Sequence, residues 1–279
     1  MEFVKMHGLG NDFVMLGHEQ ARDRNLPDLA RRMCDRHFGA GADGLIAVLP
    51  ADNADFTMRI FNPDGSEPEM CGNGVRCAVK FYLEHGPGRG SNPDTVTVNT
   101  LAGLRPVSIV RRGSETAYTV DMGAPVFEAD KVPVTADADR ALEYPLPIGN
   151  TRIKVTCVSM GNPHCVVFVD QDLTDTEFRM LGPQLSAHEA FPRQTNVEFV
   201  TVLGRNELRM RVWERGAGET LACGTGACAT LAAAHITGRA DREATVHLPG
   251  GDLNIQWLEN GPILMTGPAQ TAYTGVWAG

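Results

Sequence analysis

Lysine is scarce in this chain: Lys5, Lys80, Lys131 and Lys154 are the whole complement among 279 residues. None lies in a stretch that reads as a cofactor lysine, so Schiff-base chemistry with pyridoxal phosphate has no evident anchor. Basic blocks are missing, and the formal net charge is -9, which argues against nucleic acid or an anionic membrane as the main partner. No run of about 18 apolar residues occurs, so no membrane-spanning helix is expected. The opening MEFVKMHGLGND has neither the long apolar core nor the small-residue cleavage site of an export signal, and a cytoplasmic chain is expected. Seven cysteines in such a chain read as thiols, not as a disulfide framework. Tight C-x-x-C pairs are absent around the two glycine-rich turns, where Cys71 is followed by Cys77 and Cys223 by Cys228. That spacing disfavours a structural zinc site, and no metal is expected.

What is present is ordinary globular material, 43% hydrophobic and 21% charged. The length suits one large domain or two of usual size. A repeat then divides it. LACGTGACATLAAAHITG, from Leu221, closely echoes MCGNGVRCAVKFYLEHG, from Met70. Asn62 and Glu214 stand at equal distances before Cys71 and Cys223, and so do Glu67 and Glu219. Asn11 in GLGND and Asn162 in MGNPH keep nearly the same offset. A period shared by several motifs implies two similarly folded halves.

DFTMRIF and ELRMRVW alternate apolar and polar residues and read as half-buried antiparallel strands. TVTVNT, AYTVDM, IKVTCVSM, CVVFVD, ATVHL and LNIQW are further strand candidates. Many short strands favour sheet-rich halves over a βαβ alternation. After Cys71, Val75, Ala78, Val79 and Tyr82 recur at helical spacing, and Gly86-Pro87-Gly88 stops the helix. GACATLAAAHI is apolar on every side up to Gly238, the mark of a buried helix. Two more helices are expected near residues 27–38 and 176–189. The fold class is α+β: two pseudo-symmetric, β-rich, barrel-like halves, each wrapped around a central helix, with the active site in the cleft between them. The first half takes residues 1–121 plus 264–279, the tail returning as a strand, and the second takes 122–263.

A cysteine at a helix start sits among backbone N–H groups and the positive end of the helix dipole. Its thiolate is stabilised there, and the same N–H groups can hold a carboxylate. Two such starts facing one ligand suit removal of a proton from one face of a carbon and its return from the other. A redox dithiol is the competing reading. Cys34, Cys77, Cys157, Cys165 and Cys228 read instead as small buried hydrophobes. His164, beside Asn162-Pro163, reads as structural or catalytic. Glu214 and Arg215 end a strand, either as surface charges or as groups of the site. Asn11, Asn62, Asn162 and Asn196 are either turn formers or amides that hold a polar substrate.

MHGLGNDF, FNPDGSEPEMCGNGVRC, SMGNPHC, TNVEF, ERGAGETLACGTGAC and LPGG, in this order, closely resemble the diaminopimelate epimerase family. The likeness runs from Met6 to the TGPA at 266–269. Proline racemases and hydroxyproline epimerases share the two cysteine turns. They typically carry histidine at the place of Asn73 and lack ERGAGET, so they are the alternative. The resemblance implies epimerisation of LL- to meso-diaminopimelate for lysine and peptidoglycan precursors, with no cofactor. It implies Cys71 and Cys223 as the two catalytic groups, Cys71 donor and Cys223 acceptor in the LL-to-meso direction. The backbone N–H groups of Gly72, Asn73, Gly224 and Thr225 would bind the reacting carboxylate. Glu214, with the backbone around Arg215, would meet the ammonium group. Asn62, Asn162, Asn196 and the Arg215 guanidinium would hold the distal end, with Asn11 at a further binding position. His164 and Glu214 match positions tied to thiol function. Gly44 stands where some relatives place a substrate-binding glutamine, and Thr225 where others have serine. The family's homodimers imply a homodimer here, with Tyr273 at its interface.

Overall fold

The computed structural model describes residues 1–113 and 115–279. Its contacts divide into two compact units, Met1–Asp121 with Thr266–Gly279, and Met122–Met265. The first unit runs β1 (Glu2–Gly8), β2 (Asn11–Leu16), α1 (His18–Ala21), α2 (Leu26–Met33), β3 (Gly44–Leu49), β4 (Phe56–Phe61), α3 (Gly72–His85), β5 (Thr95–Thr100), β6 (Gly103–Arg112) and β7 (Glu115–Asp121). The second runs β8 (Tyr144–Ile148), β9 (Thr151–Ser159), β10 (Pro163–Val169), α4 (Asp175–Ser186), β11 (Asn196–Gly204), β12 (Glu207–Glu214), β13 (Gly218–Thr220), α5 (Gly224–Ile236), β14 (Glu243–Leu248) and β15 (Gly251–Trp257). Then β16 (Ile263–Pro268) leads into β17 (Gln270–Val276), which pairs antiparallel with β1.

The same ladder is built twice. In unit 1, β1–β2 is antiparallel, β2–β3 parallel, β3–β4 antiparallel, β4–β5 parallel and β5–β6 antiparallel. In unit 2, β9–β10, β10–β11, β11–β12, β12–β14 and β14–β15 follow in the same senses. Helices fall at matching joints: α1 and α2 against α4, and α3 against α5. DFTMRIF and ELRMRVW were expected to be antiparallel strands within halves free of βαβ units, and this is half right. Both β4 and β12 have an antiparallel neighbour on one side and a parallel neighbour on the other. The helix after each strand carries the chain back to the same end, and such a return makes the next strand parallel.

Each unit packs its sheet around one helix. Helix α3 touches β1 to β5 and β7, and α5 touches β9 to β12, β14 and β15. In α5 every residue from Gly226 to Ala234 is buried, as an all-round apolar sequence requires. It ends at Ile236, two residues before the expected Gly238. In α3, Val75, Ala78 and Val79 are buried. Tyr82 is only partly so, its ring stacked on Phe56 at 5.0 Å. Gly86 caps α3, its N–H donating to the carbonyls of Phe81 and Tyr82.

The outer helices follow from local signals. Asn25 caps α2 by accepting from the Asp28 N–H, and Leu26, Leu29, Ala30 and Met33 turn inward. Thr174 and Glu177 form a reciprocal capping box at the start of α4. No described helix is long and apolar enough to cross a membrane.

Candidate active site

Cys223 is the N-cap of α5 and only 5% exposed. Its extended backbone (φ -128°, ψ 108°) turns the chain from the loop into the helix. Burial, then the charges of Glu214 and Glu198, push its thiol well above the ordinary range, against hydrogen bonds from Thr225 and the Gly226 N–H. Thr225 Oγ1 lies 3.5 Å from Cys223 Sγ and accepts from Asn162 Nδ2 at 3.3 Å. Asn162 Oδ1 in turn faces His164 Nε2 at 2.9 Å. His164 Nδ1 meets Glu198 Oε1 at 2.6 Å, and both side chains are fully buried.

The parallel pairing of β10 with β11 sets His164 beside Asn196, with Glu198 two residues further along the same face. Asn196 is built into the framework. Its Nδ2 donates to the Pro163 carbonyl at 3.0 Å, and its Oδ1 accepts from the Arg215 N–H at 2.9 Å. Glu214, the last residue of β12, accepts from Thr220 Oγ1. The Arg215 guanidinium donates to the Arg193 carbonyl at 3.1 Å.

Cys71 caps α3 with nearly the same backbone (φ -139°, ψ 117°), but it is partly exposed. Asn11 Oδ1 lies 3.8 Å from its sulfur and also accepts from Asn73 Nδ2 at 3.2 Å. Asn11 Nδ2 donates to Asp43 at 2.9 Å, and Arg36 bridges Asp43 and Asp12. Asn62 shapes the turn before the cysteine, bonding Ser66 through both its side chain (2.9 Å) and its backbone N–H (2.8 Å).

Gly44 opens β3 opposite Phe13, and a Cβ on it would come 3.0 Å from the Phe61 carbonyl and 3.3 Å from the Phe13 ring. A side chain there would push these neighbours aside by a few tenths of an ångström, and Gly44 itself offers only its backbone. Tyr273 lies on β17, 47% exposed, with its ring edge-on to Phe3 at 6.0 Å. Among the described residues no group of three or more His, Cys, Asp or Glu is placed to hold a metal ion.

The structure therefore gathers Cys223, His164, Asn162 and Thr225 in one connected set, and Cys71, Asn11 and Asn73 in another. Sequence reasoning passed over Glu198 and the acidic partner Asp43. A signal for Glu198 was present. VEFV is otherwise apolar, and a lone glutamate in a strand buried on both faces is costly unless something partners it.

Solved structures of distant sequence share this architecture. A probable proline racemase from Agrobacterium radiobacter, solved with bound carbonate, superposes with a TM-score of 0.69 at 19% identity, covering 99% of this chain and 92% of that one. The family model for diaminopimelate epimerase matches residues 3–128 and 156–272. The diaminopimelate epimerase of Moorella thermoacetica is 52% identical over 99% of this chain and 98% of its own. That of Desulfitobacterium hafniense is 51% identical over the same shares. The chain belongs to the diaminopimelate epimerase family. It is an isomerase that epimerises diaminopimelate, a small-molecule substrate, in lysine biosynthesis.

Proposed function

We propose that the epimerisation runs through Cys71 and Cys223 as a two-base pair, without pyridoxal phosphate or metal. The observation that carries this reading is the matched placement of the two cysteines, each the N-cap of the helix at the centre of its unit. One thiolate takes the α-proton of the LL isomer. The electron pair left on carbon delocalises into the carboxylate, whose oxygens accept from the first-turn N–H groups of Gly72, Asn73, Gly224 and Thr225. The other thiol gives its proton to the opposite face and becomes a thiolate. Charge and protons balance, and the enzyme ends with its two sulfurs exchanged in protonation state. Since burial above all holds Cys223 as a thiol, substrate binding must supply what ionises it in the direction where it is the acceptor.

Glu214 takes the ammonium group at the reacting centre. Asn62, Asn162, Asn196 and the Arg215 guanidinium serve the distal zwitterion, with Asn11 beside Cys71 and the Gly44 backbone completing the set. Asn196 acts by fixing the Arg215 backbone. The enzyme works in the cytoplasm as a homodimer, the exposed outer strand β17 with Tyr273 forming the interface. Cys71→Ser and Cys223→Ser test the mechanism. With LL-diaminopimelate in deuterium oxide and chelator present, each is expected to lose formation of the meso isomer, and full turnover in either variant would remove the two-thiol reading.

A further inference from the structure

Glu198 has no place in the reaction as described, yet it is a fully buried carboxyl joined to a fully buried histidine. The duplicated framework shows that the fold does not require this pair. His164 follows Asn162 by two residues and Glu198 follows Asn196 by two. The same steps from Asn11 and Gly44 lead to Phe13 and Ile46, 2% and 0% exposed. Packing against the helix start is the same as well. Ile46 Cδ1 lies 2.9 Å from where a Cβ on Gly74 would stand, and Glu198 Oε1 lies 2.8 Å from the equivalent point on Gly226. Two hydrocarbon side chains fill these places in unit 1. In unit 2 they carry an ion-pair chemistry whose desolvation works against stability.

The hydrogen bonds leave His164 one arrangement. Its Nε2 faces Asn162 Oδ1, an acceptor, so Nε2 bears a proton. One further proton lies between Nδ1 and Glu198 Oε1, and the pair is neutral overall wherever that proton rests. Burial, opposed by the His164 charge, pushes the Glu198 carboxyl above its usual range. Its Oε2 has no hydrogen-bond partner among the described residues. From His164 every donor points one way: Nε2–H to Asn162 Oδ1, Asn162 Nδ2–H to Thr225 Oγ1. The Thr225 hydroxyl, already accepting, keeps its own proton for the Cys223 sulfur 3.5 Å away. Aligned donors of this kind polarise one another.

We propose that Glu198 is a positioning residue: acting through His164, Asn162 and Thr225, it aims a hydroxyl proton at Cys223 whenever that sulfur is a thiolate. The proposal rests on Cys223 exchanging the α-proton. It gives the Thr225 side chain a role beyond its backbone N–H. The charged groups that act on Cys223 are Glu214 at the end of β12 and Glu198 on β11.

The test reads the ionisation of Cys223 directly, as the ultraviolet thiolate absorbance lost on adding Cys223→Ser, titrated with pH. Thr225→Val keeps the shape and removes the donor. It is expected to raise the ionisation pH by about one to two units, the scale of a hydrogen bond to a charged group, and Thr225→Ser restores it. The pair His164→Phe with Glu198→Ile imports the unit 1 side chains and is expected to raise the ionisation pH in the same direction. If Glu198 acted merely as a nearby negative charge, removing it would lower that pH. A lowered or unchanged value in either variant overturns the proposal. If the double variant fails to fold, Thr225→Val against Thr225→Ser decides alone. Full epimerase activity in Cys223→Ser would remove the two-thiol reading and leave the ionisation result standing, so the two failures are separable.

Discussion

Cys71 and Cys223 cap helices of the same kind, in strand ladders of the same order, and live in different surroundings. Cys71 is partly exposed, beside an amide whose other end joins a surface network of Asp43, Arg36 and Asp12. Cys223 is buried and backed by a chain that ends in a buried carboxyl. One backbone thus supports two sulfurs with unequal demands on their protons. The proposed two-base epimerisation would use such inequality, with one sulfur a thiolate while the other is a thiol, and with binding able to reverse the order.

The sharpest way to break the comparison is to remove each sulfur in turn. Cys71→Ser and Cys223→Ser are each expected to lower kcat at least about 10²-fold, the usual scale for losing a positioned base. A large loss at one site alone would mean that the duplication is architectural and not chemical. Next in size is the buried pair. His164→Ala strands the Glu198 carboxyl and is expected to cost about 3–5 kcal/mol in urea unfolding. The double change to Phe and Ile, the side chains of unit 1, should cost far less, which would separate a reason in chemistry from a reason in packing.

Alkaline pH probes the buried thiols, among them two in unit 1. Cys34 and Cys77, both in unit 1, have their pKa pushed up to about 12, chiefly by burial. Their ordinary value is 9.0. Between those two values the unfolded chain has released protons that the folded chain still holds, so stability falls as pH rises. The slope is roughly 1.4 kcal/mol per pH unit for each thiol. Cys34→Ala should flatten the urea-midpoint profile in this window without changing it near neutral pH.

The smallest effect concerns a feature the units share. Arg59–Glu67 (2.7 Å) and Arg211–Glu219 (2.6 Å) are equivalent ion pairs bracing the two turns. Both are partly exposed, and Glu67→Gln and Glu219→Gln should each cost no more than about 1 kcal/mol. Unequal costs would show that the second turn, where Arg211 also holds Asp175 and stacks on Phe178, is braced more firmly.

Much of this was legible in the residues. The constant spacing of Asn, Glu and Cys motifs announced the duplication, and glycines after each cysteine announced the helix starts. Strands β1, β2 and β3 were not singled out. GLIAVL in β3 is buried almost throughout, and a strand covered on both faces shows no alternation to read. The parallel pairings were missed because periodicity reports which face of a strand is buried, not which neighbour it meets. Glu198 was missed for a related reason. Its partner His164 is 34 residues away, and only the parallel register of β10 and β11 brings the two together.

The most direct test of the two-base account is the fate of solvent deuterium early in the reaction. LL-diaminopimelate is incubated with the enzyme in deuterium oxide, and both isomers are recovered before a tenth of the substrate has turned over. If two thiols act from opposite faces, the meso product carries deuterium at the inverted α-carbon and the recovered LL isomer carries almost none. Equal labelling of both isomers would mean that one base works on both faces, and the paired cysteines would need another explanation.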